Sequence, residues 1–147
     1  MNVTTFEIEV IADRRHGWVD LTDDLVRAVK DSGVSEGLAI MYCTHTTCGL
    51  VINEREDGAM GDFEARLARL VPVTGYYAHD DLTRRTQNLV DDERRNGRAH
   101  VAQMLLGGTS QVVPVTAGAP ALGRWQRPML LELDDPKPRT CLIQVWG

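Results

Sequence analysis

No stretch of this chain is apolar for the ~20 residues that a bilayer-spanning helix requires, so the sequence predicts no membrane insertion. Its start, Met1-Asn2-Val3-Thr4-Thr5-Phe6-Glu7, lacks the basic residues and apolar core of a secretory signal, and the expected location is the cytoplasm. Cysteine is scarce. Cys43, Cys48 and Cys141 are odd in number and form no Cys-x-x-Cys pair, which points to reduced core residues rather than a disulfide framework. Positive charge is short as well: 16 Lys and Arg against 21 Asp and Glu leave a formal charge of −5, and a generic nucleic-acid binder would need a basic face. Internal repeats and low-complexity tracts are also missing. What remains is 147 residues with 43% apolar and 25% charged content, the profile of one globular domain spanning residues 1–147.

Apolar periodicity supplies the elements. Val3 to Ile11 alternates, with Phe6, Ile8 and Val10 on one face, and predicts a half-buried strand. After a turn at 13–17, Asp20 or Thr22 can cap a helix carrying Leu21, Leu25, Val26 and Val29 on one stripe, ended by Gly33. Gly37 to Tyr42 is apolar almost throughout and predicts a strand covered on both faces, followed by a second strand ending near Ile52. Met60, Phe63, Leu67 and Leu70 define a second helix stopped by Pro72. Periodicity then fades until a third helix from about Arg98 to Leu106, and a connection of that length in a compact domain is often functional. Strands over Ser110–Thr116, Arg127–Leu133 and Thr140–Trp146 close the chain. Strands and helices without regular alternation predict an α+β fold: a mixed, mostly antiparallel sheet or sandwich covered by two to three helices.

Between the two central strands lies Cys43-Thr44-His45-Thr46-Thr47-Cys48, a polar block where hydroxyls and an imidazole need partners. His45, His79 and His100 are the candidate metal ligands, since neutral imidazole suits zinc; taken singly, each reads first as a hydrogen-bonded structural histidine, because separations of 34 and 21 residues match no local ligand motif. His16, in a charged turn, reads as a surface residue. Thr44, Thr46 and Thr47 can take a phosphate or bond across strands, and Glu54 after Asn53 can be a general base or a strand-end turn residue. Gly107-Gly108-Thr109-Ser110 can cradle an anion or simply cap a helix. Trp125, Gln126 and their flanking arginines can stack a ring and grip an anion, with a packed hairpin tryptophan as the alternative. Arg139 can bind phosphate or pair with Asp134 or Asp135. Arg84-Arg85 and Arg94-Arg95 read first as solvated surface, and then as a local anion site.

Taken in order, Thr44-His45-Thr46-Thr47, Asn53-Glu54, His79-Asp80, Asn96 with Ala99-His100, Gly108 with Ser110, Gly123 with Trp125-Gln126, and Arg139 before a closing strand resemble the YjbQ-like family, from about residue 4 to the C-terminus. The chain departs from that pattern at Cys48, where alanine is usual, at Arg98 before Ala-His, and in the loop after His79. The resemblance implies a homotrimeric α+β domain whose histidines form a pocket for a divalent metal or an anion. It implies His45, His79 and His100 at the metal, zinc first, with magnesium arriving on a phosphorylated substrate. It places Thr46, Thr47, Asn53, Ser110, Trp125 and Gln126 on the substrate, with Glu54 and Arg139 catalytic. The family's assigned activity is that of a secondary thiamine-phosphate synthase, which joins a pyrimidine diphosphate to a thiazole phosphate with release of pyrophosphate. Two other functions fit the same residues: a metal-dependent hydrolase of a small phosphorylated metabolite, and a non-catalytic trimer that binds a metal or metabolite.

Overall fold

Alternation along β1 (Val3–Val10) puts Phe6, Ile8 and Val10 against the core, as a strand's period of two requires. The structure, a computed structural model, describes residues 2–147. β1 pairs antiparallel along its whole length with β8 (Arg139–Trp146), and β8 pairs with β3 (Gly37–Cys43). β3 continues to β5 (Ser110–Thr116) and β5 to the two-residue β6 (Ala119–Pro120), giving a first sheet in the order β1-β8-β3-β5-β6. The second sheet is β2 (Trp18–Asp20), β7 (Arg127–Glu132) and β4 (Cys48–Asn53), in the order β2-β7-β4. β2 and β6 are too short to leave a periodic signal, and the sequence did not predict them.

The inner face of the first sheet, Ala39, Met41, Val113, Ile143 and Val145 among others, packs on Leu50 and Leu130 of the second sheet and on α1 (Thr22–Ser32). α1 buries Leu25, Ala28 and Val29, the predicted stripe, and ends at Gly33 in the left-handed conformation, φ 71°. Asp20 accepts from the Thr22 N–H at 2.9 Å, one residue ahead of the cap itself. Behind the second sheet, α2 (Asp57–Leu70) and α3 (Gly97–Leu106) cover Leu131 and Leu133 with Leu67, Ala99 and Ala102. β7 therefore has both faces covered, and its side chains from Pro128 to Glu132 are all buried. The α2 start is held by the Glu56 carboxylate, which accepts the Gly58 and Ala59 N–H groups at 2.8 Å each.

The predicted α+β architecture is present: two antiparallel sheets packed as a sandwich in one domain, with three helices among the described residues. No helix among those residues is long and apolar enough to cross a membrane. Over β3 and β5 the outer face of the first sheet is largely apolar. Leu38, Tyr42 and Val112 are 45%, 45% and 54% exposed, beside Pro114 and Trp146.

Candidate functional site

The Thr44–Thr47 block links β3 of one sheet to β4 of the other, so it caps one edge of the sandwich. His45 Nε2 accepts the Thr140 N–H at 2.9 Å, so the neutral ring carries its proton on Nδ1. The Thr44 backbone N–H and hydroxyl both donate to the Thr140 carbonyl, at 3.3 and 3.2 Å. Thr46 is exposed; Thr47 is buried, and its carbonyl accepts from Leu133 N–H at 3.2 Å and from Arg139 at 3.3 Å. Arg139 is itself 1% exposed and forks onto both carboxylate oxygens of fully buried Glu132, with Nε 2.7 Å from Oε2. Burial opposes the Arg139 charge, and the hydrogen bonds and charge of Glu132, with the nearby Cys48, more than offset it and raise its pKa. The predicted partner for Arg139 in the loop, Asp134 or Asp135, is thus replaced by Glu132 on β7 of the second sheet. Ser110 lies exposed opposite Tyr42 at the start of β5. Gly107 caps α3 at φ 65°, and the Gly108 carbonyl accepts the Leu50 N–H at 2.7 Å, so this stretch joins α3 to β4 through its backbone.

All three cysteines meet under the same block. Cys43 Sγ lies 3.0 Å from Cys48 Sγ, and Cys141 sits directly across from Cys43 in the β3–β8 register. All three are free and buried, as expected. The apolar surroundings predict raised thiol pKa values, which holds for Cys48 and Cys141, but hydrogen bonds from the Cys141 and Cys48 thiols lower Cys43 to about 3.

The long connection folds onto α3 and brings two of the three candidate histidines together. A single 3₁₀ turn, Ala78–Asp80, ends with the Asp80 carboxylate accepting the Gly97 N–H at 2.8 Å, which pins the loop to the helix start. A Cβ on Gly97 would stand 2.9 Å from the Cβ atoms of His79 and Tyr77, so only glycine lets the loop close this tightly. The rings of His79 and His100 then lie 4.5 Å apart, tilted at 52°. Burial, and next the charge of His79, push the His100 pKa down, which keeps its imidazole neutral near pH 7. Asn96 donates to Asp134 at 3.1 Å, which turns its carbonyl oxygen to His79 Nε2 at 3.2 Å. The same Nε2 lies 3.1 Å from the Arg85 guanidinium, so this ring nitrogen is held between an acceptor and a donor.

A cavity of about 600 Å³ opens beside His79, lined by Tyr76, Arg84, Arg85, Gln87 and Asn88 as well. Arg85 is fully engaged in holding this loop: it donates to Glu93 at 2.6 Å and to the carbonyls of His79, Gln87 and Asn88. Arg84 is exposed, with one long contact to the Tyr76 hydroxyl at 3.5 Å, and its guanidinium is left for an anion. The candidate residues that sequence reasoning underrated are therefore Arg84 and Asn96; the Arg84-Arg85 pair was the only signal for the first.

The remaining candidates lie elsewhere. Asn53 pairs with Arg127 at one end of the β4–β7 ladder, whereas Cys48 pairs with Glu132 at the other. Across a six-residue strand this is about 17 Å. Asn53, Glu54, Trp125 and Gln126 gather at the first end. Trp125 is 59% exposed under the Arg124 guanidinium at 4.6 Å from the ring centre, and Gln126 accepts the Gly123 N–H at 2.8 Å. A second cavity of about 570 Å³ lies there, lined by Asp20, Arg55, Gly123, Arg124 and Arg127 among others. His45, Thr47, Arg139 and the His79–His100 pair lie at the second end, joined through Glu132, Asp134 and Asn96. Among the described residues no three His, Cys, Asp or Glu side chains form a metal-binding set, and His45 does not join the other two histidines in one. His16 is not the free surface residue expected: it is half-buried at φ 60°, with Nε2 3.1 Å from the buried Arg98 guanidinium, because the turn folds back onto α3.

A two-sheet α+β sandwich with an arginine-edged cavity beside His79, whose ring in turn lies against His100, defines a class of small domain. The chain belongs to the family described as UPF0047 protein YjbQ-like, whose pattern it matches over residues 6–147. An Archaeoglobus fulgidus UPF0047 protein is 37% identical over 139 residues, covering 95% of this chain and 98% of the relative. A Methanothermobacter thermautotrophicus UPF0047 protein is 34% identical over 147 residues, covering 100% of this chain and 94% of the relative. Among solved structures, a YbjQ-like protein of unknown function from Sulfolobus solfataricus superposes with a TM-score of 0.84 at 31% identity, covering 99% of this chain and 98% of that one.

Proposed function

We propose that this chain is an enzyme acting on a small phosphorylated metabolite at the cavity beside His79, with His100 next to it, in the manner of a secondary thiamine-phosphate synthase. The observation that carries this reading is the placement of two imidazoles, 4.5 Å apart, beside a cavity whose rim holds the uncommitted Arg84 guanidinium. Arg84 grips phosphate oxygens, as a planar fork of donors does. Neutral His100 accepts or returns a proton, and Asn96, held by Asp134, fixes the orientation of the His79 ring together with Arg85.

The donor chemistry of His79 and His100, two imidazoles, suits a divalent ion, zinc first and magnesium with a phosphorylated substrate. Such an ion would neutralise charge developing on a leaving phosphate. The Asn53, Glu54, Trp125 and Gln126 group, about 17 Å away in the same chain, reaches a shared substrate only from another copy. The homotrimer implied by the family resemblance supplies one: Trp125 of one copy stacks a pyrimidine and Glu54 orients its amino group, while His79 and His100 of the next hold the phosphate end. The uncovered apolar face of Leu38, Tyr42 and Val112 supports such self-association.

The test is complementation. With a pyrimidine diphosphate and a thiazole phosphate as substrates, His100→Ala and Glu54→Ala should each lose at least about 100-fold in turnover, the usual cost of removing an acid–base or charge-stabilising group. Co-expressed mixed assemblies should regain a measurable share. Full activity in both variants sinks the reading. Phosphate release without a condensed product would instead assign a hydrolase, and stoichiometric binding without turnover a binding module.

A further inference from the structure

We propose that Cys43 and Cys48 are an oxidation site, closing to a disulfide that ties the two sheets together at the base of the Thr44–Thr47 loop. The chain has only three cysteines and all three converge here. Cys43 belongs to the first sheet, through β3, and Cys48 to the second, through β4, and their sulfurs are already 3.0 Å apart. A disulfide needs about 2.05 Å, so closure asks for about 1 Å of movement. The loop between them is short and carries exposed Thr44 and Thr46, so local opening of this loop is the route by which a small molecule reaches the sulfurs. Cys43 and Cys48 are themselves 1% and 0% exposed, which shuts out bulky thiols and disulfides.

The oxidant is therefore a small peroxide. One sulfur, as the thiolate, attacks a peroxide oxygen; the O–O bond breaks, hydroxide leaves, and a sulfenic acid forms. The second sulfur attacks the sulfenic sulfur, the S–O bond breaks, and the departing oxygen takes protons to become water. Two thiols and one hydrogen peroxide yield one disulfide and two waters, a two-electron oxidation of sulfur matched by a two-electron reduction of the peroxide. Cys141, in register with Cys43, is the competing partner. The disulfide would close a ring that contains His45, Thr46 and Thr47, and would sit beside the Arg139–Glu132 pair through Thr47. The chemistry is read from peptide masses and so stands apart from the catalytic proposal.

Trypsin separates the alternatives. Cleavage after Lys30 and Arg55 releases 31–55, with Cys43 and Cys48 on one peptide, and cleavage after Arg139 releases 140–147, with Cys141. The full-length reduced protein is treated with equimolar hydrogen peroxide, unfolded in N-ethylmaleimide and digested. The expected product is a 31–55 peptide two hydrogens lighter and unalkylated, with Cys141 alkylated, reversed by dithiothreitol. Cys141→Ala keeps this product and Cys48→Ala loses it; should Cys48→Ala fail to fold, the wild-type and Cys141→Ala maps decide alone. Double alkylation of 31–55 after peroxide overturns the proposal. So does a 31–55 to 140–147 cross-link as the main species, irreversible oxygen addition to Cys43, or a metal ion released from three peroxide-resistant thiols.

Discussion

Arg139 shows how one side chain can look like a ligand group and serve the core. Its guanidinium is buried against Glu132 and the Thr47 carbonyl, so it acts on the Thr44–Thr47 loop by holding it. Arg139→Met leaves the Glu132 charge buried and unpaired, and is expected to cost about 3–5 kcal/mol in urea unfolding, whereas Arg139→Met with Glu132→Leu costs much less. Retained stability in the single variant contradicts this role. His16 carries a different prediction. Burial first, then the Arg98 charge, with Arg15 and Arg14 in the same sense and Glu64 opposing, lower its pKa in the folded state. The unfolded chain, with a pKa of about 6.5, therefore binds the proton more readily. His16 then favours the fold fully above about pH 6.5, and that contribution is lost as the pH falls towards the lower folded value. His16→Asn tolerates the positive φ, and its urea midpoint should fall less between pH 7.5 and 5.5 than that of the wild type.

At the level of elements, the site depends on the joint between the long connection and α3. Gly97 and Asp80 make that joint: one removes the Cβ that would collide with His79 and Tyr77, and the other satisfies the helix's first free N–H. Gly97→Ala is expected to cost about 1–3 kcal/mol as an overpacked contact. It should also separate the His79 and His100 rings, seen as lost contacts between their ring protons in NMR spectra. An unchanged ring–ring contact would show that the loop closes without the glycine. The helix itself was legible from its apolar residues and following glycines. The joint was not, because a glycine at a helix start is ordinary and nothing in its neighbours announces a collision seventeen or more residues back along the chain.

For the whole molecule, the outer face of the first sheet and the splitting of the candidate residues lead to one expectation. Light scattering on the purified protein should give three times the chain mass, and Leu38→Asp with Val112→Asp should shift it towards the monomer without unfolding it, since both side chains already lie outward. A monomeric wild type would remove the shared site across copies, and with it the proposed use of Glu54 and Trp125 on the substrate of His100.

Residue types and their local order were enough for most of the fold. The period of two in β1 and β8, the stripe of Leu25 and Val29, and the glycine stop at Gly33 are local properties, decided by which face of a strand or helix each residue occupies. The same holds for the family pattern, which rests on residues in order. Convergence in space is a property of sheet order, register and loop closure, and spacing along the chain does not encode it. Folding brought His79 to His100 through the Asp80 and Gly97 joint, and gathered Cys43, Cys48 and Cys141 across two sheets. It also used His45 to hold Thr140 and set Asn53 and Glu54 at the far end of β4. The sequence by itself determined the elements and the family; the pairing of β4 with β7, which runs the strand's full length between the two groups of candidate residues, decided which of them share a site.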